Sequence, residues 1–336
     1  MARTYEFSIG TAEVGMRLDH YLVRRLPTMI SRTLIQRSIR GGMVTIAGRA
    51  LKAHYKLHAG DVITAHFDEL PARGTDTVLI PQEIALEVVY EDADLLVVNK
   101  PPGLVTHPAP GHWDGTLVNA LVWHLGQGTQ RMGGELPRAG IVHRLDKDTS
   151  GLLLVAKRAV VHTALSKQLK ARTIHRRYIA VVEGHLPLNT GTVNVPIGRH
   201  TTHRKVMTVR HLGGRSAITH YQIIKRLDVP TPGRGSPTAT PPLRCTVVAL
   251  ALETGRTHQI RVHLAHLGHP VIGDTTYGKR PVSFWQVLGV TRQFLHAYRL
   301  SFQHPITRQP MTMTAPLPAD MLSWCDQETI ERLKKL

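Results

Sequence analysis

The sequence predicts an α+β protein in which a small αβ module precedes a larger domain, built on a mixed, mostly antiparallel sheet with flanking helices. Two observations support this prediction. Apolar residues recur every four positions near the N-terminus, as they do on one face of a helix. Beyond residue 85, several strand-like runs follow one another without a helix between them, which favours antiparallel pairing over a doubly wound parallel sheet. We assign the module to residues 15–70, a linker to 71–84 and the larger domain to 85–325.

The N-terminal module is predicted to contain two helices followed by two short strands. The first helix has one apolar face, formed by Leu18, Leu22 and Leu26. Ser31 is a candidate N-cap of the second helix, which Gly41 and Gly42 end. The strands are predicted at residues 44–46 and 62–63.

The second helix of the module carries a basic stripe. Arg32, Gln36 and Arg40 repeat every four residues, and Arg37 lies beside them. A basic stripe opposite an apolar face suits a helix that lies along a phosphate backbone. A helix face that merely contacts solvent would show the same pattern, so this helix alone leaves both interpretations open.

The larger domain is predicted to be rich in strands. Residues 71–81 contain Pro, Gly, Thr and Asp, a composition typical of a linker. Six segments beyond it have strand character, namely 86–90, 95–98, 152–156, 178–182, 246–252 and 295–302. A helix with Val161, Leu165 and Leu169 on its apolar face interrupts them. Residues 228–243 are rich in proline and predict a surface insertion outside the core.

The charge balance predicts a polyanionic partner. The 336 residues include 42 Lys and Arg against 24 Asp and Glu, which gives a formal net charge of +18. Neutralising phosphates releases counterions and drives association, so nucleic acid is favoured. No segment approaches the ~20 apolar residues of a membrane span, and the N-terminus lacks the apolar core of a signal peptide. Because Cys245 and Cys325 form no metal or disulfide framework, we expect a reduced, cytoplasmic protein without a membrane partner.

The motif at residues 143–148 (HRLDKD) is the strongest candidate for chemistry. It places two carboxylates and three basic side chains before an apolar strand, where partly buried charges must be paired or hydrogen-bonded. We expect residues 141–142 to end one strand, and the turn that follows to present Arg144 and Asp146 on the same side. We expect Asp148 to shape the turn, which leaves Asp146 free for chemistry.

Residues 253–266 (ETGRTHQIRVHLAH) form a second candidate. Gly255 permits a turn, and Thr257 is a candidate cap of the helix that follows. We expect the buried face of that helix to consist of Ile260, Leu264 and Leu267. Arg261 lies near the edge of the core and therefore needs an acidic partner, which we expect to be Asp146.

A third candidate is Tyr178, which opens a predicted strand directly after Arg176 and Arg177. A tyrosine in this position is most often a core or edge aromatic. The same placement also offers a flat platform for a displaced base. Both interpretations stay open.

Other kinds of site are not supported by the sequence. The histidines at 258, 263 and 266 lack a zinc-ligand arrangement, so we predict no metal. Phosphate-loop and dinucleotide fingerprints and the nucleophile elbow of a hydrolase are absent as well.

Two resemblances to known families follow from these motifs. The N-terminal module resembles the S4 RNA-binding domain, through RLD at 17–19, SR at 31–32, GMVTIAG at 42–48, Lys52 and LHAGDVI at 57–63. Residues 17 to about 316 as a whole resemble the RluA family of pseudouridine synthases. The segments that carry this resemblance are VNKPPG at 98–103, HP at 107–108, GTLVNAL at 115–121, HRLDKD at 143–148, Tyr178 and TGRTHQIRVH at 254–263. The proline-rich insertion departs from the family pattern.

The resemblance implies isomerisation of uridine to pseudouridine in RNA without a cofactor. It implies that Asp146 is the catalytic carboxylate, acting as nucleophile or base, and that Arg261 pairs with it and keeps it ionised. Tyr178 would stack on the target uracil and Arg144 would displace the nucleotide from its helix. The residues predicted to bind RNA are Arg144, Arg32, Arg37, Arg40, Lys52 and His143. The implied partner is large-subunit ribosomal RNA, at the helix 69 stem-loop. A monomer is the default expectation for the oligomeric state.

Two other functions compete with this prediction. A non-catalytic RNA-binding protein of ribosome assembly would explain the basic module and the charge of +18 equally well. A glycosylase that releases free uracil would also need a carboxylate at the sugar. Hydrolysis of a glycosidic bond usually uses two carboxylates, whereas one can suffice for an isomerase that returns the base to the same sugar.

Overall fold

A computed structural model describes residues 3–26, 32–67, 80–107, 114–126, 137–203, 206–231 and 241–335 of the chain. Two compact units divide the chain, residues 1–79 and residues 80–336. Within the described residues, no helix combines the length and the apolar character that crossing a bilayer requires.

The N-terminal unit consists of two helices packed against a four-stranded antiparallel sheet. Its strands are β1 (Arg3–Ser8), β2 (Val44–Ile46), β3 (Arg49–Ala50) and β4 (Val62–Phe67). Its helices are α1 (Leu18–Arg25) and α2 (Arg32–Arg40), and a 3-10 turn covers Thr11–Glu13. The strand order is β1-β4-β2-β3.

The core of the N-terminal unit joins both helices to the sheet. Leu18 and Leu22 of α1 and Ile35 and Ile39 of α2 are buried in one cluster with Ile63 of β4. The two helices and the two strands predicted for this module are therefore confirmed. Burial of the apolar faces explains why these short helices form, since helices of this length are marginal in isolation.

Several features of the N-terminal unit were not visible in the apolar pattern. Strand β1 precedes the predicted range of 15–70 and pairs with β4 over its whole length. Gln36, which belongs to the predicted basic stripe, donates a hydrogen bond of 2.9 Å to the buried carboxylate of Asp19. Ser31 and most of the predicted linker, up to residue 79, lie outside the described residues.

The second unit contains a large sheet, a small one and six helices among the described residues. Its strands are β5 (Glu87–Glu91), β6 (Leu95–Lys100), β7 (Ser150–Ala156), β8 (His175–Glu183), β9 (Thr190–Asn194), β10 (Ile197–Arg199), β11 (Met207–Val209), β12 (Ile218–Val229), β13 (Leu243–Leu252), β14 (Leu295–Gln303) and β15 (Pro310–Thr314). Its helices are α3 (Leu117–Gly126), α4 (Ala159–Ala171), α5 (Gln259–His266), α6 (Val282–Val287), α7 (Ala319–Leu322) and α8 (Gln327–Lys334). A 3-10 turn covers Pro137–Gly140.

The large sheet is mixed and mostly antiparallel, as predicted. Its order is β5-β6-β7-β14-β8-β13-β12-β9, with β15 added to β14, and β10 pairs with β11 separately. Only β7 and β14 run parallel among the described pairs of this sheet, at His296 opposite Ser150 and Ala297 opposite Gly151. This parallel pair places the start of β7 at the centre of the sheet.

Two apolar clusters cover this sheet. One joins β8, β13 and β14 to α6, α7 and α8, and contains Ile179, Val247, Trp285, Met321 and Leu333. The other joins β6 and β7 to α4, through residues such as Leu154 and Leu165. The centre of the sheet is therefore a rigid support for the polar loops at its edge.

Two predictions for the second unit need correction. Residues 141–142 do not form a strand, because Ile141 makes a single bridge to Val155 before the chain leaves the sheet. The proline-rich insertion at 228–243 is shorter than predicted, because Val229 of β12 pairs with Leu243 of β13 in one hairpin. Residues 232–240 within it lie outside the described residues.

Candidate active site

A cleft of about 590 Å³ lies in the second unit, at the edge of the large sheet. It collects residues from all three motifs that the sequence marked out, including Asp146, Tyr178 and Arg261. Seven cationic side chains and two carboxylates line it, namely Arg144, Lys170, Arg172, Arg176, Arg215, Arg256 and Arg261 with Asp146 and Glu253. A cleft with this charge balance attracts anions.

The segment that carries Asp146, residues 143–149 and hereafter the Asp146 loop, is held by its main-chain oxygens. The oxygen of Leu145 accepts a hydrogen bond of 2.7 Å from Thr106. The oxygen of Lys147 accepts one of 2.9 Å from the Lys100 ammonium, and that of Asp148 accepts one of 3.1 Å from Arg292. Three buried donors, two from residues 100–106 and one from Arg292, therefore fix the path of the loop.

Asp148 contributes to this loop differently from what was predicted. Its main-chain oxygen stabilises the loop by accepting a hydrogen bond from Arg292. Its carboxylate accepts no hydrogen bond from the described residues. The turn itself closes through the amide of Thr149, which donates to the main-chain oxygen of Asp146 at 3.2 Å. The Thr149 hydroxyl accepts a further hydrogen bond of 3.1 Å from Gln293.

Gly151 lets the Asp146 loop enter the sheet. Its φ of +110° lies in a region that other residues rarely adopt, and a Cβ atom here would overlap the main-chain oxygen of Ala297 in β14. A glycine is therefore required where β7 meets β14. The neighbouring Ser150 hydroxyl lies 2.9 Å from Nδ1 of His296.

Arg261 lies between two carboxylates. Its Nη1 atom is 3.0 Å from Oδ2 of Asp146, so the predicted ion pair is present. Its Nε and Nη2 atoms are 2.7 Å and 2.8 Å from the two oxygens of Asp274. Burial by itself would lower the pKa of Arg261, but the hydrogen bonds and charges of Asp274 and Asp146 outweigh it and raise the pKa. The guanidinium is thus permanently charged and held in one orientation.

Asp274 was missed by sequence reasoning. Its side chain is fully buried, and it also accepts hydrogen bonds from the amides of Thr276 and Tyr277, at 2.9 Å and 3.0 Å. The segment from 272 to 278 carries no motif, although an aspartate after a glycine is a common turn signal. That signal would have indicated a turn but not the arginine that it binds.

His258 and Tyr277 lie beside the same ion pair. The Tyr277 oxygen accepts a hydrogen bond of 2.9 Å from the amide of Met207, and lies 2.8 Å from Nδ1 of His258. The other ring nitrogen of His258, Nε2, lies 3.9 Å from Oδ1 of Asp146. Burial lowers the pKa of His258, and the charge of Asp146 opposes that shift only in part.

The loop before α5 corrects two predictions. Thr257 is not the cap: His258 occupies the N-cap position with a left-handed φ of 55° and no side-chain capping bond. The loop is closed instead by the Gln259 side chain, whose oxygen accepts hydrogen bonds of 2.9 Å from the amide of Arg256 and 2.8 Å from the hydroxyl of Thr254. Ile260 and Leu264 are buried as predicted, but Leu267 is not, because it follows the last turn of α5 and is 37% exposed.

Tyr178, Arg144 and His143 all line the cleft, with different exposure. Tyr178 of β8 is buried, and burial raises the pKa of its hydroxyl although the charge of Arg176 opposes this. Arg144 is exposed on the same loop as Asp146. His143 is buried, and its Nε2 accepts a hydrogen bond of 3.2 Å from the amide of Leu154. Burial, with a contribution from Arg176, lowers the pKa of His143 to about 3, so the imidazole is neutral.

The remaining residues predicted to bind RNA belong to the N-terminal unit. Arg40 and Lys52 are exposed. Arg32 and Arg37 lie on α2, and their side chains are outside the described residues.

One group of metal-ligand type occurs in the described residues, formed by Asp92, Asp94 and His304. None of these residues lines the cleft. The Asp92 carboxylate already accepts hydrogen bonds from the amides of Asp94 and Leu95 and from Tyr90, at 2.8 Å each. The oxygens of the Asp92 carboxylate are therefore already occupied by hydrogen bonds within the protein.

Comparison with known proteins agrees with the contents of the cleft. The family model for RNA pseudouridylate synthase matches residues 94–266. The uncharacterized RNA pseudouridine synthase YlyB of Bacillus subtilis is 43% identical over 91% of this chain and 90% of its own length. Ribosomal large subunit pseudouridine synthase D of Yersinia pestis is 42% identical over 96% of this chain and 94% of its own length. The protein of that name from Pseudomonas aeruginosa is 40% identical, over 92% and 90%.

A solved structure supports the same assignment. Human RNA Pseudouridylate Synthase Domain Containing 1 superposes with a TM-score of 0.53 and 29% identity, over 70% of this chain and 84% of the human chain. By these matches and by the motifs in its cleft, the chain belongs to the RluA family of RNA pseudouridine synthases, which are isomerases.

Proposed function

We propose that the chain converts specific uridines of large-subunit ribosomal RNA to pseudouridine, and that Asp146 is its catalytic carboxylate. The observation that carries this proposal is the ion pair of Asp146 with Arg261 in a cationic cleft, 3.0 Å between the nearest atoms. Because Asp274 holds the other side of Arg261, the guanidinium is fixed and holds the Asp146 carboxylate in place. Asp146 also retains 17% exposure, so one side of it is open to a substrate.

The isomerisation breaks the N1–C1′ bond of uridine, turns the uracil and rejoins it to C1′ through C5. The proton on C5 is lost and N1 gains one, so the reaction needs no external reagent. Asp146 acts either as a nucleophile at C1′ or as the base that starts an elimination. Both routes require an ionised carboxylate at the sugar.

The other carboxylate of the cleft supports isomerisation over hydrolysis. Glu253 is engaged by Arg172 at 2.6 Å and by His220 at 2.8 Å. Inverting glycosidases need a second carboxylate to activate water, and retaining ones need a second carboxylic acid. With Glu253 committed to these partners, Asp146 is the carboxylate available for chemistry, which fits an isomerase.

Tyr178 is proposed to bind the target base, and Arg144 is proposed to insert into the RNA helix. The phenol ring of Tyr178, neutral because burial raises the pKa of its hydroxyl, stacks on the uracil. Arg144, exposed two residues before Asp146, fills the gap left by the displaced nucleotide. Filling the gap offsets an unstacking cost of a few kcal/mol.

The N-terminal unit is proposed to be an S4 RNA-binding domain, residues 15–70, joined by a linker at 71–84 to a catalytic domain at 85–325. Arg32, Arg37, Arg40 and Lys52 contact phosphates in this proposal, and His143, which lines the cleft beside Arg144, belongs to the RNA-binding residues of the cleft. The relatives named ribosomal large subunit pseudouridine synthase D support a large-subunit ribosomal RNA as substrate. We place the target in the helix 69 stem-loop, and the enzyme acts as a cytoplasmic monomer without a cofactor.

Substitution of Asp146 by Asn tests the catalytic assignment. Pseudouridines are mapped in large-subunit ribosomal RNA from cells that lack the protein and that carry either wild type or the variant. We expect the sites to be lost without the protein, restored by wild type and not restored by Asp146→Asn. Asp94→Asn, which alters an ion pair outside the cleft, is the matched control and should restore them.

Three outcomes would contradict parts of the proposal. Normal pseudouridine formation by Asp146→Asn would remove Asp146 from the chemistry. Release of free uracil from the RNA by the purified wild type would indicate a glycosylase. If RNA from other sources, and not large-subunit ribosomal RNA, loses its pseudouridines, the substrate assignment is wrong while the isomerase activity stands.

A further inference from the structure

Arg176 is a buried arginine for which the described residues supply no countercharge. It lies in β8 and lines the cleft, yet only 8% of it is exposed. Its Nε atom is fully covered and has no hydrogen-bond partner, and no ion pair joins the guanidinium to the described residues. The other two buried arginines among those residues, Arg261 and Arg292, each bind an aspartate through Nε at 2.7 Å.

The fold makes room for this unpaired side chain. A Cβ atom on Gly255, in the loop before α5, would lie 2.7 Å from Nη1 of Arg176. Gly255 does not have a positive φ, so its backbone conformation does not require a glycine. The space that the Arg176 guanidinium occupies is what favours a residue without a Cβ atom here. Two of the three sequence motifs thus meet at Arg176 and Gly255.

The surroundings of Arg176 make its charge harder to bury. His143 beside it is neutral. Burial, followed by repulsion from Arg215 and Arg172, lowers the pKa of Arg256 in the same cleft. A buried cation among other cations is strongly unfavourable unless an anion pairs with it. The anion is therefore expected to arrive with the substrate.

We propose that Arg176 binds a phosphodiester of the RNA strand at the target uridine. Uracil and ribose are neutral at pH 7, so the phosphates are the anions that RNA brings into the cleft. The planar guanidinium can offer two parallel N–H donors to two phosphate oxygens. Tyr178 follows two residues later and projects to the same face of β8, about 7 Å along the strand. A base stacked on Tyr178 and its own phosphate at Arg176 are compatible with that spacing.

This inference rests on the proposed position of the uracil at Tyr178. Its test measures RNA binding, so the result does not depend on whether Asp146 is catalytic. The probe is an unmodified ribosomal RNA stem-loop transcript that the wild-type chain modifies. Its affinity is measured over a series of salt concentrations for wild type and Arg176→Gln, with the full chain. We expect the variant to bind about tenfold more weakly, and the slope of log Kd against log salt to fall by about one.

A neutral methylphosphonate at each linkage that flanks the target uridine locates the contact. In wild type, one such substitution should weaken binding by about tenfold. In Arg176→Gln the same substitution should have no further effect, because the contact is already absent. Additive losses at every linkage would overturn the proposal.

A second pair of variants covers the case in which Arg176→Gln fails to fold. Gly255→Ala displaces the guanidinium and keeps the net charge, so it should reduce affinity by a similar factor. Arg176→Lys should recover part of the affinity and the full salt slope. Arg244→Gln, an exposed arginine of β13 that does not line the cleft, is the control and should match wild type.

Two further results would overturn the assignment. An unchanged salt slope with a collapse of the single-turnover rate at saturating RNA would mean that Arg176 contacts the uracil. Unchanged affinity, slope and turnover in both Arg176→Gln and Gly255→Ala would leave the guanidinium a structural role only.

Discussion

The ammonium group of Lys100 lies 2.9 Å from the main-chain oxygen of Lys147, the residue that follows Asp146. Lys100 is fully buried at the end of β6, and the same ammonium donates to the main-chain oxygens of Pro101 and Leu104 at 2.7 Å and 3.0 Å. Three carbonyls from two segments therefore converge on one charged group. The position of the Asp146 loop depends on that group, and not on apolar packing alone.

Substitution of Lys100 by Met should loosen the Asp146 loop. Met fills a similar volume but leaves three main-chain oxygens without their donor, so we expect a loss of about 2–3 kcal/mol in the free energy of unfolding. Turnover should fall at least about tenfold while RNA affinity changes little, because the carboxylate is displaced within an intact cleft. Urea denaturation and single-turnover kinetics check this, with the exposed Lys279→Met as control.

The same lysine should give the stability a distinctive pH dependence. Burial lowers the pKa of Lys100 to about 7 in the folded protein, although Asp148 and Asp146 oppose the shift, against a value of 10.5 in the unfolded chain. Between these two values the unfolded chain binds a proton that the folded protein lacks, so raising the pH favours folding. The free energy of unfolding of wild type minus that of Lys100→Met should rise from pH 7 to pH 10. If the difference in the free energy of unfolding stayed constant from pH 7 to pH 10, the predicted role of Lys100 in the pH dependence would be wrong.

Asp274 is expected to be a positioning residue for Arg261. Asp274→Asn removes one of two countercharges from a buried arginine, which should destabilise the protein by about 3 kcal/mol. We expect kcat to fall by about tenfold or more and KM for RNA to stay nearly constant, since the Asp274 side chain is fully buried. Asp274→Glu should restore part of kcat because it returns the charge. A variant with weaker affinity and an unchanged kcat would argue against this role.

Gly151→Ala tests the entry of the Asp146 loop into the sheet. The added Cβ would overlap the main-chain oxygen of Ala297 at a φ of +110°, so we expect a loss of stability above about 3 kcal/mol. Gly126→Ala, where no atom lies within 4 Å of the added Cβ, should change stability by less than about 0.5 kcal/mol. The melting temperatures of both variants provide the measurement. A large decrease for Gly151→Ala only would show that the start of β7 is a close-packed strand junction.

Removal of the basic stripe should affect binding and spare the chemistry. With Arg32, Arg37 and Arg40 replaced by Ala, we expect weaker RNA binding and a salt slope reduced by about two to three, roughly one for each phosphate that is no longer neutralised. The single-turnover rate at saturating RNA should stay within about twofold of wild type. Salt-dependent binding curves provide the measurement, and an unchanged slope would indicate a helix face that only contacts solvent.

Local patterns in the sequence were sufficient to predict many, but not all, of the helices and strands of this fold. The helix at Leu18, Leu22 and Leu26 and the strands β5, β6, β7, β8, β13 and β14 were predicted because their patterns are imprinted locally in the chain. Strands β9, β10, β11, β12 and β15 were not predicted. Local patterns failed where polar contacts decide the structure. The cap before α5 was misassigned because the Gln259 side chain, and not Thr257, closes that loop.

The chemistry of the site was partly predictable for a different reason. A charged residue at the edge of the core must find a partner, and that requirement, together with the family motifs, pointed from Arg261 to Asp146 across 115 residues. The same requirement could not identify Asp274, because an isolated aspartate in a turn has no pattern that distinguishes it from many others.

The residue types and their local periods determined the elements, the positive charge and the family motifs, because each of these depends on neighbours in the chain. Apart from the predicted pair of Arg261 with Asp146, only the tertiary structure decided which buried charges are paired. Lys100 reaches the Asp146 loop across 47 residues, Arg261 is held by Asp274, and Arg176 has no countercharge among the described residues. Pairing of buried charges depends on distances between segments that only the folded sheet brings together.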